Sequence, residues 1–252
     1  MPPVLSRAAG ARAAIAALAL AAALPLPALA DAALDAELDA VAALLPGRYI
    51  GSVPDPTAPA GSPPMRVYHR IAAVRLPRFG PGRAFYHRIA RDGFDSPVPF
   101  QQKVYVLDED PARPVNRMRA FVLAPGMPAV DPGPALAALD PAKTLRFPPE
   151  CAIRWARGEP PDTWVGRVRR QDCSYRSERF GQTISPDLTY VVSPGWLAVE
   201  DLLYGEDGES LVPSPGLARA VRVVATSPSP AAGDAAATPP ASSSAAAPGT
   251  GP

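Results

Sequence analysis

Lysine is almost missing from this chain of 252 residues: Lys103 and Lys143 are the only two, and arginine supplies the rest of its 25 basic side chains. A surplus of either charge is missing too. The 25 basic groups face 24 acidic ones, for a net charge of +1. That balance excludes the electrostatic footprint of a nucleic-acid binder or of a protein held to anionic membrane by charge. Two histidines and two cysteines are too few for a cysteine-dense scaffold, and the histidines lie far upstream of the cysteines, which excludes a structural zinc site built from both. The signatures of several enzyme classes are absent as well: no G-x-S-x-G elbow, no H-E-x-x-H pair, no phosphate-binding loop and no dinucleotide fingerprint. Proline, by contrast, is abundant. Its 35 copies are about 14% of the chain, against an ordinary usage of roughly 5%. Each interior proline removes a helix hydrogen bond, so a bundle of helices is excluded. With 47% hydrophobic residues, the chain can still bury a core of one domain, or two small ones.

Residues 1–30 read as a secretory signal. Arg7 and Arg12 form the positive start, and Ala13 to Leu24 is an uninterrupted apolar run. Pro25 and Pro27 break it, and Ala28-Leu29-Ala30 fits the small-x-small cleavage rule. The alternative, a membrane anchor, needs an apolar core of about 20 residues, longer than this one. Cleavage leaves 23 basic and 24 acidic groups, because it removes two arginines and no acid. It also leaves no membrane span. The expected location is the periplasm or the outside of the cell. In that oxidising setting Cys151 and Cys173 are expected to form one disulfide; two buried free thiols are the alternative. Residues 226–252 are nearly all Pro, Ala, Ser, Gly and Thr and read as a disordered tail.

The domain lies between, at 31–225. Leu34, Leu38, Val41 and Leu45 are spaced four, three and four apart, which predicts an amphipathic helix ended by Pro46-Gly47. Beyond it come short β-rich runs: 48–53, 65–76, 83–91, 100–107, 115–123, 152–157, 163–170, 174–179, 188–192, 196–203 and 217–224. Turn residues separate most of them, and 134–139 reads as one helical turn. Many short strands after a leading helix predict a mainly β protein, with an up-and-down antiparallel barrel favoured because it hides sheet edges. The pentapeptide Tyr68-His69-Arg70-Ile71-Ala72 recurs as Tyr86-His87-Arg88-Ile89-Ala90, with a turn between, which predicts two neighbouring strands of one hairpin.

Four blocks carry a resemblance. Pro99-Phe100-Gln101-Gln102-Lys103-Val104-Tyr105 is similar to a motif of the CpcT/CpeT family of chromophore lyases, which reads roughly Pro-Tyr-Arg-Gln-Arg-Val-Tyr. Leu44-Leu45-Pro46-Gly47-Arg48-Tyr49 resembles the family's step after its first helix. Tyr86 to Ala90 lies where the family has Tyr-x-Glu-Gln-Ala. Cys151, Thr163-Trp164-Val165-Gly166 and Cys173-Ser174 resemble its later run of Cys, Phe-x-Gly and Cys-x-Ser. The resemblance spans about Leu34 to Val224. It implies a calycin or lipocalin-like antiparallel β-barrel with an N-terminal helix. It also implies a role in placing a linear tetrapyrrole (a bilin) on a cysteine of an acceptor protein, with the bilin as ligand. The family's Glu and Gln are here Arg88 and Ile89; its Tyr is Phe100, and its two arginines are Gln101 and Lys103. Gln102, Val104 and Tyr105 are kept. The expected protein is therefore a lyase homologue that retains a ligand-binding barrel. A non-catalytic barrel for a small apolar or amphipathic ligand, or a structural envelope protein, is the alternative.

The residues singled out for the ligand are Tyr86, Arg88, Gln102, Lys103 and Tyr105, with Arg88 and Lys103 as candidate partners for a carboxylate. Gln102 and Tyr105 are predicted on opposite faces of one strand, because side chains alternate. No catalytic residue stands out. His69 and His87 are placed to meet across the hairpin, but no third ligand is evident and no metal site is expected. Trp155, Trp164 and Trp196 are expected to serve packing. Glu200-Asp201 and Glu206-Asp207 are expected to form a solvated hairpin turn.

Overall fold

The computed structural model describes residues 26–55, 58–59, 61–113, 115–212 and 216–224. Most of the predicted signal segment, 1–25, and the predicted tail, 226–252, lie outside the described residues. Helix α1 covers Leu26–Leu44. It starts ahead of Asp31 and includes the Ala28–Ala30 triplet, with Pro27 tolerated in its first turn, where no helical N–H is needed. No helix among the described residues is long and apolar enough to cross a membrane.

The rest is mainly β. In chain order the strands are β1 Gly47–Val53, β2 Met65–Val74, β3 Arg83–Ala90, β4 Gln101–Glu109, β5 Asn116–Val122, β6 Leu145–Arg146, β7 Arg154–Arg157, β8 Trp164–Val168, β9 Tyr175–Ser177, β10 Gln182–Ser193, β11 Trp196–Tyr204 and β12 Ala218–Arg222, with one helical turn, α2 Pro134–Ala137, between β5 and β6. They form one sheet in the order β6-β5-β4-β3-β2-β1-β12-β11-β10-β8-β7, with β9 paired to β10. All pairings between named strands are antiparallel. The sheet curls until its ends meet: an antiparallel bridge joins Met118 of β5 to Ile153, just before β7. Its two hydrogen bonds are 2.7 and 2.9 Å. The result is barrel-like.

The repeated pentapeptides are paired with each other, centred on Arg70 opposite Arg88. Most predicted strands stand within two residues of their ends. β10 is the exception, at 12 residues where five were predicted. Pro186 hid its length. That proline falls between the stretch paired to β9 and the stretch paired to β8, where this side of the strand has no partner.

One face of each strand points into the curl. There Leu34, Leu38, Val41 and Leu45 of α1 meet Tyr49, Ile71, Phe85, Leu107, Met118, Trp164, Val192 and Leu197 in a buried core. The helix thus seals one end of the barrel. Its last carbonyls find partners on the wall: the Tyr49 hydroxyl lies 3.0 Å from the Leu44 oxygen and 3.1 Å from that of Leu45, and Arg222 donates to the Leu44 oxygen. Cys151 and Cys173 are joined. Their link brackets the β7–β8 hairpin and so fixes the seam where the curled sheet meets itself.

A second cluster lies on the outer face. Leu76, Phe79, Ala84, Tyr86, Val104, Val106, Phe121, Leu123 and Leu136 pack there under the segment that contains α2. On the same face Asp108 accepts hydrogen bonds from Arg117 at 2.9 Å and Arg119 at 2.7 Å, tying β4 to β5.

Candidate functional site

The five residues singled out from the sequence divide between the two faces of the sheet. Tyr86, Arg88 and Gln102 are buried on the outer face. Tyr86 donates to the Gln102 side-chain oxygen. The Gln102 amide nitrogen donates to the carbonyls of Met127 at 2.9 Å and Pro128 at 3.1 Å, and its oxygen accepts from the Val130 N–H at 3.1 Å. Arg88 donates to the Ser96 carbonyl. These contacts fasten the covering segments to the sheet and use most of the polar atoms of Tyr86 and Gln102, whereas Nε of Arg88 is buried without a partner. Lys103 and Tyr105 lie on the other face, inside the curl. Gln102 and Tyr105 are on opposite faces, as the alternation requires.

Inside, a polar layer interrupts the apolar core. His69 of β2 and His87 of β3 are diagonal neighbours, since the register pairs His69 with Ile89 and Ile71 with His87. Their ring nitrogens, Nδ1 of His69 and Nε2 of His87, are 3.2 Å apart. The His87 ring lies against Tyr105, with centroids 5.8 Å apart. Tyr105 in turn shares a hydrogen bond of 2.6 Å with Tyr190 across the barrel. Trp155 completes the layer, with its ring centroid 6.3 Å from that of Tyr190. Two polar atoms of this layer are buried without a partner in the protein, Nδ1 of His87 and Nε1 of Trp155. Buried polar groups are ordinarily satisfied, so such atoms mark places where water or a ligand completes the structure.

Burial sets the charge state of the layer. His69 is held down to about 4, first by burial and then by the Lys103 charge. His87 is pushed well below its ordinary value by burial, with smaller effects from His69 and Lys103. Tyr105 is pushed well above 10, first by burial and then by Tyr190 and Asp201. At neutral pH the layer is therefore uncharged and rich in hydrogen-bonding groups.

Beyond this layer, away from α1, the inward-facing side chains are only partly buried: Ala120, Val122, Leu188, Val199 and Ala218, with Phe147 and Tyr175 packed on the same core. This half of the interior opens to solvent. Two charges face it. Lys103 stands opposite His87 in the β3–β4 register. Asp201 stands opposite Leu188 in the β10–β11 register, and its charge helps raise Tyr175 to about 12. Asp201 belongs to a strand; the turn that follows β11 contains Glu206 and Asp207 alone of the four acids. Trp155 and Trp164 are buried in the core, whereas Trp196 sits half-buried on β11 beneath Arg219.

A groove of about 820 Å³ lies elsewhere, between the end of α1 and the β2–β3 connection. Its lining is mostly Ala, Pro and Gly, and its Arg83 is already bonded to Asp39 at 2.9 Å. The barrel interior has the richer chemistry. Parity with Lys103 and Tyr105 was the signal for His87. Nothing local marked Tyr190 or Asp201, which join the site only through the curl of the sheet.

No protein-family model matches the chain, and no curated protein matches it in sequence.

Proposed function

We propose that this is an exported, calycin-like barrel protein of the CpcT/CpeT kind, and that it binds a small amphipathic ligand in the open half of its interior without attaching it to another protein. The observation that carries this reading is the layer of His69, His87, Tyr105, Tyr190 and Trp155, which gives an otherwise apolar interior a polar floor with two unpartnered atoms. A concave apolar wall with a few convergent polar groups is what small-molecule sites have in common. The position where the family carries its acid holds Arg88, which is directed to the outer face and bonded to Ser96. The histidines and tyrosines of the floor are bonded to one another, which suits holding a ligand more than transferring it.

The test is native mass spectrometry of the protein purified from its own cell envelope. The expected result is a retained small-molecule mass, with chain cleavage after Ala30. A tetrapyrrole mass, or a shift in visible absorbance on titration with a bilin, would restore the chromophore role implied by the family resemblance. A bare protein mass under repeated gentle conditions refutes the binding reading.

A further inference from the structure

We propose that the ligand of this interior carries a single carboxylate, received by Lys103 with His69 and His87 beside it, while its apolar body lies against Ala120, Val122, Leu188 and Val199. This rests on the reading that the open half of the barrel holds a ligand, and it names the class.

The argument starts from Lys103. It is one of two lysines in the chain, and it is directed into the barrel at a part-exposed position, the opposite face of β4 being buried under the covering segment. Among the described residues it makes no salt bridge. Its charge bears on both histidines, which stay neutral. Part-exposed at the open end, its ammonium can receive an anion that enters there. One of the two imidazole N–H groups is spent on the 3.2 Å bond between the rings; with His69 as its donor, His87 carries its proton on Nδ1, the atom without a protein partner, and can donate it to the same anion. The same positive charge opposes a dication, so the two imidazole nitrogens are better matched to an anion than to a metal.

The number of charges sets the kind of anion. One lysine balances a monoanion. A phosphate ester usually calls on several cations or on an arginine fork. Two arginines of inward register, Arg83 and Arg222, are at the sealed end and already engaged, Arg83 with Asp39 at 2.9 Å and Arg222 with the Leu44 carbonyl and, at 2.6 Å, the Tyr49 oxygen. The wall beyond the floor is aliphatic, which suits a hydrocarbon body.

The test compares dodecanoate with dodecanol, below the micellar concentration and at pH 7.5, by isothermal titration of the exported protein. Dodecanoate is expected to bind at least tenfold more tightly, because a charge-assisted bond replaces a neutral one. Lys103→Met should remove that preference, with a loss of about 10- to 100-fold for dodecanoate and little change for dodecanol. Lys103→Arg should keep most of it, which separates loss of charge from loss of fold. Equal binding of both probes, unchanged by Lys103→Met, overturns the carboxylate while leaving the ligand-binding barrel standing. Preference for dodecyltrimethylammonium overturns it in favour of Asp201. Failure of all three probes, with no retained mass in the native protein, overturns the binding reading and this inference with it.

Discussion

The hydrogen bond between Tyr105 and Tyr190 spans the barrel, and removing it in two ways gives different costs. Both side chains are about 2% exposed, and their oxygens are 2.6 Å apart. Tyr105→Phe keeps the ring and its contact with His87 but leaves the Tyr190 hydroxyl buried and alone. An unmatched buried hydroxyl costs about 1–3 kcal/mol. Tyr190→Phe should cost a similar amount for the same reason. The double replacement leaves no polar atom stranded, and matched apolar substitutions of this kind are nearly neutral, so its cost should be about 1 kcal/mol or less. The cycle should therefore show a coupling of about 1–5 kcal/mol, well above the ~0.5 kcal/mol scatter of independent sites. For a domain of this size each kcal/mol moves Tm by about 2–4 °C. Urea unfolding followed by tryptophan fluorescence reads the difference, with Trp155 next to Tyr190 as the local reporter. Simple additivity of the two single changes would refute the reasoning, since the hydroxyls would then be solvated separately and the floor would not be a connected layer.

Other measurements test other parts of the structure. Replacing Cys151 and Cys173 by Ser opens a loop of 22 residues in sequence separation, and the loop-entropy relation gives a loss of about 3 kcal/mol, readable by chemical unfolding. Gly166→Ala places a methyl carbon 2.7 Å from Cγ2 of Ile153 and 3.0 Å from the Trp155 ring, an overpacking expected to cost about 1–3 kcal/mol and to shift tryptophan emission. Gln102→Ala should raise amide exchange at 127–130 and leave interior ligand affinity unchanged, because its bonds are all on the outer face; a loss of affinity would return Gln102 to the ligand site. His69 is held at about 4 in the fold and returns to about 6.5 when unfolded, so its contribution is full above pH 6.5 and is lost as pH falls from there towards 4. Unfolding free energy measured over that window should fall more steeply for the ligand-free wild type than for His69→Gln.

What was legible in the sequence is what local chemistry decides. The spacing of Leu34, Leu38, Val41 and Leu45 set the buried face of α1, and those residues seal the barrel. Alternation set the strands, and the repeated Tyr-His-Arg-Ile-Ala unit revealed the β2–β3 hairpin. The expectation of an oxidising setting, drawn from the N-terminal segment, paired the chain's two cysteines, and the two are joined. The tyrosine at 86 and the glutamine at 102 were harder to interpret. A motif shows that residues recur together, and it does not show which face of a strand they occupy. Here the outer face is itself buried under 127–130, so burial alone would not separate a ligand contact from a clamp. Tyr190 and Asp201 escaped for another reason. They lie far along the chain from His87 and Lys103, and the bridge from Met118 to Ile153 and the Tyr105–Tyr190 bond show that the sheet turns back far enough to face them.

The division of labour between the two ends of the barrel follows from where the chain places its polar side chains. At the α1 end the inward apolar residues are buried, and the polar groups are engaged: Tyr49 and Arg222 bond to each other and to carbonyls at the end of the helix, Asn116 donates to Glu37 and Arg83 to Asp39. That end can be stable as it stands. At the other end the inward residues remain partly exposed, the floor has polar atoms to spare, and a lysine stands without an ion-pair partner among the described residues. An aliphatic side chain at 103 would continue the apolar wall of Ala120, Val122, Leu188 and Val199. An ammonium there instead offers a cation to an incoming anion, which is what the proposed binding role asks of the open end, while the closed end holds the site in shape.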